Sequence, residues 1–570
     1  MEYKSETKKC QNCKREFVIE QEDFNFYEKI KVPPPTFCPE CRFQRRIQFR
    51  NERILYKRTC LLCKKNIITI YNPENTLPVY CNECWYGDKW DALKYGKDYD
   101  FSRSFFDQLK ELWQVVPQLA VNSIQNTNST YVNFAAQNKN SYLLSGALYN
   151  EDCAYGTRIL NSKNSLDSYN IDRCTLCYEA IHTLNSYNSS HILNCESVVD
   201  AISCRDCKGV TSAIGCVNLC NVNNFVFNQK LSPVAYAEYI KNFNQGSFSF
   251  LQQFLEKFKE FSLGFPRRFA QVVQSKNSEG DQIFHSKNVH HSFFVNECED
   301  IKYAIFMKKV KFAMDIYADD ESELGYETMS GQNAASYLFD IQPWYSQNIR
   351  YSVLVQSSHD LFACIGLRSK QYCILNKQYT KEEYEELVPK IIQHMNDMPY
   401  IDKKGRIYKY GEFFPPELSP FCYNETIAQE YFPLTKEEAL EQGYKWKDRE
   451  ERNYTIDIKN KDIPNDIKEV KDEITGKVIE CEHKGTCNEQ CTEAFKIIPD
   501  ELSFYKRMNL PIPHLCPNCR HYNRLKQRNP LKLWHRKCMK KNCTNEFETS
   551  YAPERPEIVY CEKCYQQEVY

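Results

Sequence analysis

No run of about 18 apolar residues occurs anywhere in these 570 residues, and the first stretch, "MEYKSETKKCQNCK", has no apolar core of the kind that directs export. Membrane spans and secretion are therefore not expected, and a cytoplasmic protein is. Net charge is nearly absent as well, at −1. That figure hides an asymmetry: residues 1–95 carry five more basic than acidic side chains and residues 481–570 four more, leaving the middle near −10. A uniform polyanion-binding surface is excluded, and two basic terminal contact regions are implied. The length calls for several domains rather than one core.

Cysteine, by contrast, is abundant, at 29 residues. Secreted disulfide scaffolds are usually short chains with an export signal, whereas this long chain groups its cysteines in knuckles, which favours metal thiolates in a reducing compartment. Sliding the sequence along itself by 478 residues places Phe17 on Phe495, Tyr27 on Tyr505, and Cys38 and Cys41 on Cys516 and Cys519. Arg42, Arg46, Arg50, Asn51 and Arg58 fall on Arg520, Arg524, Arg528, Asn529 and Arg536. Four quartets follow: Cys10, Cys13, Cys38 and Cys41; Cys60, Cys63, Cys81 and Cys84; Cys487, Cys491, Cys516 and Cys519; Cys538, Cys543, Cys561 and Cys564. Cys481 and His483 stand just before the third quartet and compete for it.

A knuckle places two thiolates on one side of a tight bend, and two knuckles complete the tetrahedron zinc accepts, so about four structural zinc ions are expected. A closed shell of four thiolates leaves no position for water, and catalysis at these metals is not expected; no catalytic residue is assigned. The metal's role is folding, because modules this small lack a sufficient core. Within each half, "FVIEQEDFNFYEKIKVPPP" and "FKIIPDELSFYKRMNLPIP" suggest a hairpin and turn leading into a treble-clef finger. "KNIITIYNPENTLPVYC" and "NEFETSYAPERPEIVYC" suggest two short strands of a zinc ribbon.

Between the ends, polar x-N-S turns alternate with strand-like triplets at steps of eleven or twelve residues, two steps making an expected rung of 22 to 24. The predicted fold is mainly β: two β-solenoid (parallel β-helix-like) stacks with helical caps, flanked at both ends by tandem four-cysteine treble-clef and zinc-ribbon modules. The expected divisions are 1–59 (treble clef), 60–95 (ribbon), 96–120 (connecting helix), 121–231 (first stack), 232–279 (helical cap), 280–379 (second stack), 380–398 (capping helix), 399–446 (aromatic and proline-rich strap), 447–480 (charged linker), 481–537 (treble clef) and 538–570 (ribbon). The central cysteines fit buried ladders of small residues better than further metal sites. The acidic run "DIYADDESELGYE" at 315–327 reads as a solvated turn.

On a helix opening at Cys38, Arg42, Arg46, Arg50 and Arg53 fall on one stripe, with Arg45 beside it. The second copy carries Arg520, Arg524, Lys526, Arg528 and Arg536, with no acidic residue from 520 to 541. Excess cations on metal-rigidified helices are the pattern of phosphate contact, so these ten residues are candidate nucleic-acid contacts, with RNA and DNA both open. Internal pairing of Arg42 and Arg520 with Asp23 and Glu501 is the plainer alternative.

Nearly the whole chain resembles a family of uncharacterised proteins with paired zinc fingers from genomes of ultrasmall candidate-phyla bacteria. The resemblance is carried by "FCPECR…QRR…RNER…YKRTC..C", "VYCNECWYGDKWD", "YGEFFPPELSPF.YNET.AQEYFPLTKEEAL" and "RNP.KLW…YAPERPEIVYCE.CY". It implies a cytoplasmic, bacterial, zinc-stabilised protein with no established activity, and a third quartet whose metal is dispensable. Two functions follow: a nucleic-acid-binding protein contacting RNA or a ribonucleoprotein, or a protein-interaction scaffold using the solenoid surface. An enzyme sited on the solenoid is a third.

Overall fold

The computed structural model describes residues 4–449 and 454–569. Residues 450–453, part of the expected charged linker, lie outside the described residues, as do 1–3 and 570 of the terminal modules.

From Ser123 to Lys230, and again from Val272 to Gln378, short strands pair in parallel ladders closed by one antiparallel strand. Thr157 lies opposite Tyr169, and Tyr169 opposite Ile181. In the second stack Lys311 lies opposite Glu323, and Glu323 opposite Ala335. Each step along a ladder is thus twelve residues, and the expected repeat of 22 to 24 is corrected to twelve. The reason is a period of three. Every third residue has positive φ, as at Tyr155, Arg158, Asn161 and Asn164, so the chain turns a corner four times in twelve residues. The residue after each of these corners points inward: Cys195, Val198, Ala201, Cys204, Cys207 and Val210 are all buried. On an ordinary strand residues i and i+3 face opposite ways. Here the corner between them turns both into the same core, which is why Cys204 and Cys207 are interior neighbours.

The first stack's interior opens with an asparagine ladder. Asn138 donates through Nδ2 to Asn126 Oδ1 and to the Ala147 carbonyl, each at 2.9 Å, while its own Oδ1 accepts from the backbone N–H and Nδ2 of Asn150. Both asparagines are buried, so truncation leaves several groups without partners. Asn138→Ala is expected to cost about 2 kcal/mol, read from hydrogen exchange of the first four turns. A loss below about 0.5 kcal/mol would show that water replaces the side chain.

Both stacks end alike. Asn228 and Asn376 each make a two-way bond to the backbone of the preceding turn, at Val217 and Ile365. Helices then start at Ser232 and Thr380, whose side chains accept from the N–H three residues on. These pairs are all 148 residues apart, so the middle of the chain is itself a repeat.

At the ends, Glu6–Lys9 pairs antiparallel with Glu16–Ile19, and the next segment is helical, Gln21–Ile30. The expected hairpin and turn over 17–35 is therefore corrected. The signal was present: Glu20 and Asp23 form a reciprocal cap, and Asp23, Tyr27 and Ile30 form a buried stripe at helical spacing. Pro499–Met508 repeats this helix. In the ribbons the two expected strands do not pair with each other. Asn66–Thr69 pairs back to Tyr56–Thr59, whereas Val79–Tyr80 pairs in parallel with Gln118–Leu119, just ahead of the first stack. Correspondingly, Val559–Tyr560 pairs with Arg267–Arg268, just ahead of the second. Each of these modules thus pairs with the segment that leads into one stack.

The charged linker expected at 447–480 is also corrected in part. Ile463, Ile467, Val470 and Ile474 are buried in one cluster with Ile497, Leu502 and Tyr505, so this segment is packed onto the third module. Its isoleucines and valine, spaced three or four apart, were masked in sequence by the lysines and acids around them.

Candidate metal centres and the arginine clamps

Four groups of four cysteine sulfurs come together, each within 4.8 Å. Zinc–sulfur bonds of about 2.3 Å in a tetrahedron require sulfurs about 3.8 Å apart. Cys13 and Cys38 are 3.7 Å apart, Cys63 and Cys81 3.8 Å, and Cys543 and Cys561 3.9 Å. Each group is built alike: the third cysteine caps a helix or opens one, and its N–H donates to the first cysteine's sulfur at 3.3 Å. Burial raises the Cys60 thiol, but the N–H groups of Cys63 and Cys81 outweigh it and bring it down to about 6. Cys561 is brought to about 7 in the same way, with Asn545 also donating to its sulfur. These sulfurs fit a soft, tetrahedral metal such as zinc.

The third group is Cys481, Cys491, Cys516 and Cys519, so Cys487 is replaced by Cys481 in the all-thiolate set. The reason lies in the knuckle: the Cys516 N–H donates to Cys481 as the Cys38 N–H donates to Cys10. Alignment by spacing alone missed this because seven extra residues separate the first two ligands, nine against two in the first group.

The arginines that follow the knuckles are not displayed to solvent. Arg42, Arg45 and Arg46 are at most 2% exposed. Arg42 reaches Asp315 at 2.7 Å and Arg46 reaches the same carboxylate at 3.1 Å. Arg45 bridges Glu327 at 2.8 Å and Glu412 at 2.9 Å, the latter from the strap. Three cations thus meet three carboxylates. Burial works against the charge on Arg42, but Asp315 more than restores it, so its pKa lies well above the usual value.

The second helix repeats the arrangement on the other stack. Arg520 and Arg524 reach Asp167 at 2.7 and 2.8 Å, and Arg524 also reaches Glu179 at 2.9 Å. Asp167 and Glu179 precede Asp315 and Glu327 by the same 148 residues, and all four sit at positive-φ corners. Tyrosines follow suit: Tyr27 packs edge-on to Tyr326, and Tyr505 to Tyr178. The acidic run at 315–327 is therefore no solvated turn; its two end residues are the buried counterions.

The other candidate contacts are also engaged. Arg50 binds Glu52 and Ser330 and lies 3.8 Å over Phe134; Arg528 binds Tyr169 and lies 4.4 Å over its ring. Arg53 donates to Thr157, and Arg536 to the carbonyls of Tyr551 and Ala552. Lys526 is exposed, with Glu489 as its partner. The plainer pairing foreseen for Arg520 with Glu501 is present at 3.3 Å, whereas Asp23 pairs with Lys302.

The two pairs of four-cysteine modules are crossed. The module of Cys38 and Cys41 grips the second stack through Asp315 while that of Cys81 and Cys84 pairs with the lead-in to the first; the module of Cys516 and Cys519 grips the first stack through Asp167 while that of Cys561 and Cys564 pairs with the lead-in to the second. Between the stacks, Arg158 lies 3.4 Å over Phe306 and donates to Tyr317 at 2.8 Å.

No protein-family model matches the chain, and no curated protein matches it. No helix among the described residues is long and apolar enough to cross a membrane.

Proposed function

We propose that the chain is a zinc-stapled binding scaffold: two β-solenoid stacks locked side by side by crossed zinc pairs, offering their outer ladders to a protein partner. The observation that carries this reading is the burial of Arg42, Arg45, Arg46, Arg520 and Arg524 against solenoid carboxylates. A phosphate would have to displace buried ion pairs to reach them, leaving carboxylates unpaired in a dry interface. The metal serves folding, because each group closes its shell with four thiolates.

The outer faces suit a protein better than a polyanion. Lys139, Glu151 and Lys163 alternate in charge up one ladder at twelve-residue steps, as do Lys287 with Glu299 and Lys309 with Glu321. Such ladders neutralise themselves, and exposed tyrosines, Tyr149, Tyr187 and Tyr345, stand among them. Two of the best-formed cavities enclose only about 30 Å³ each, the scale of one or two waters.

The test compares binding with stability. Arg42→Ala and Arg520→Ala are expected to speed hydrogen exchange of Pro39–Ile47 and Pro517–Lys526 and to leave the retention of mixed RNA and DNA at low salt unchanged. Saturable, nuclease-resistant capture of one protein, weakened by Tyr149→Ala and Tyr187→Ala, is the positive result. Nucleic-acid affinity with a steep salt slope, reduced by the arginine variants without loss of stability, would overturn the proposal.

A further inference from the structure

The seven residues inserted into the third knuckle bring more than length. His483, Cys487 and Glu489 converge on the outer side of Cys519, and the four ligand atoms lie within 4.8 Å of one another. Cys487 Sγ is 3.7 Å from Cys519 Sγ, the edge length of a zinc tetrahedron, while Cys519 lies 3.5 and 3.9 Å from Cys516 and Cys481 on its other side. In the first module the equivalent sulfur, Cys41, accepts from Asn12 Nδ2 at 3.3 Å, so a single hydrogen bond fills the place taken here by a cluster.

Two of the converging atoms are buried without a hydrogen bond and face each other. Glu489 is only 8% exposed; Lys526 holds its Oε1, while Oε2 is buried without a hydrogen bond. His483 Nδ1, also buried and without a hydrogen bond, lies 3.3 Å from that oxygen. An imidazole nitrogen, a carboxylate oxygen and two thiols within ligand distance of one another are a donor set a divalent metal takes, and a metal would replace the proton that the His483–Glu489 pair otherwise needs.

We propose that His483, Cys487 and Glu489, with Cys519 as a bridging thiolate, bind a second divalent metal ion, making the third site binuclear. Charge is consistent with this. Five thiolates and one carboxylate around two zinc ions carry the same net charge as four thiolates around one. The ligand set is mixed, with nitrogen, oxygen and two sulfurs, so it holds its ion less tightly than the all-thiolate sites and suits zinc or cobalt(II). The other course, exchange of Cys487 for Cys481 around a single ion, predicts a different count.

Metal analysis of the full chain after equilibration with zinc and dialysis is expected to give five ions per chain. Cys487→Ser, His483→Ala and Glu489→Gln should each give four, with unchanged far-ultraviolet circular dichroism and melting. A competing chelator should withdraw one zinc in a separate fast phase from the unaltered chain and not from Glu489→Gln. Cobalt(II) loading should show weakened paramagnetic resonance intensity from two thiolate-bridged ions, restored to four isolated sites in Cys487→Ser. Four zinc ions in the unaltered chain, or five persisting in Glu489→Gln and His483→Ala, would overturn the proposal. A drop from four to three in Cys487→Ser would overturn it in favour of ligand exchange.

Discussion

Asp315→Ala is expected to release the N-terminal cysteine module from the second stack at a cost of about 3–5 kcal/mol, because it strips two buried guanidinium groups of their shared counterion. Arg42 and Arg46 both lean on this carboxylate at 2.7 and 3.1 Å, and neither side chain has access to water. The measurement is hydrogen exchange of Pro39–Ile47, read as a local opening free energy, since a chain of many modules does not melt in one step. Asp167→Ala should do the same to Pro517–Lys526, where Arg520 and Arg524 share that carboxylate. The cost belongs to the orphaned partners rather than to the pair itself. The double variant Asp315→Leu with Arg42→Met should therefore recover part of the loss. A change below about 1 kcal/mol for Asp315→Ala, the level of an exposed pair, would show that water enters the cluster and the clamp is weak.

How much of this was legible in sequence follows from where each signal lies. The cysteine quartets were readable because a knuckle needs cysteine at fixed local spacing, and fourteen of the sixteen ligands, all but Cys10 and Cys481, fall in pairs related by an offset of 478 or, past the insertion after Cys538, 480. The third quartet misled because an insertion moved its first ligand from the aligned position to Cys481. The basic stripe was readable as a stripe but not as an interface. Its counterions, Asp315 and Asp167, stand 273 and 353 residues away from Arg42 and Arg520, and nothing local marks them. The 148-residue repeat that would have revealed them was hidden, because inward positions accept Ala, Cys, Ser or Val almost interchangeably and the outward ones vary. The twelve-residue step was visible in the spacing of x-N-S turns. Two steps to a rung treats each step as half a turn, whereas positive-φ corners every three residues close a full turn in twelve.

Loss of a single zinc is expected to unsettle the stack that its module touches, which for the modules of Cys38 and Cys516 is not the one nearer in sequence, and this crossing is a sharp test of the arrangement. Apparent metal-binding energies of structural zinc are on the order of 10 kcal/mol at neutral pH, comparable with the whole stability of a domain, so a module that loses its ion unfolds. Cys38→Ser should therefore deprotect the second stack around Lys311–Asp320 and Glu323–Met329, where Arg42, Arg45 and Arg46 dock. Cys81→Ser should instead deprotect the start of the first stack, because the strand Val79–Tyr80 holds Gln118–Leu119, with the Gln118 N–H donating to Pro78 at 2.8 Å and that of Ala120 to Tyr80 at 2.9 Å. Cys561→Ser should act in the same way on the start of the second stack, through Arg267–Arg268, and Cys516→Ser on the first stack around Asp167. The Cys81 and Cys561 variants carry a further signature: the lead-in strand Gln118–Leu119 or Arg267–Arg268, freed of its partner, presents unpaired backbone groups, so Cys81→Ser and Cys561→Ser should aggregate with rising concentration. Cys38→Ser and Cys516→Ser should not, because they bare a side-chain interface and leave both lead-in strands paired. Hydrogen exchange mapped across the four variants decides the matter. Deprotection that followed sequence order, with both N-terminal variants acting on the first stack alone, would mean that the zinc pairs do not straddle the two stacks.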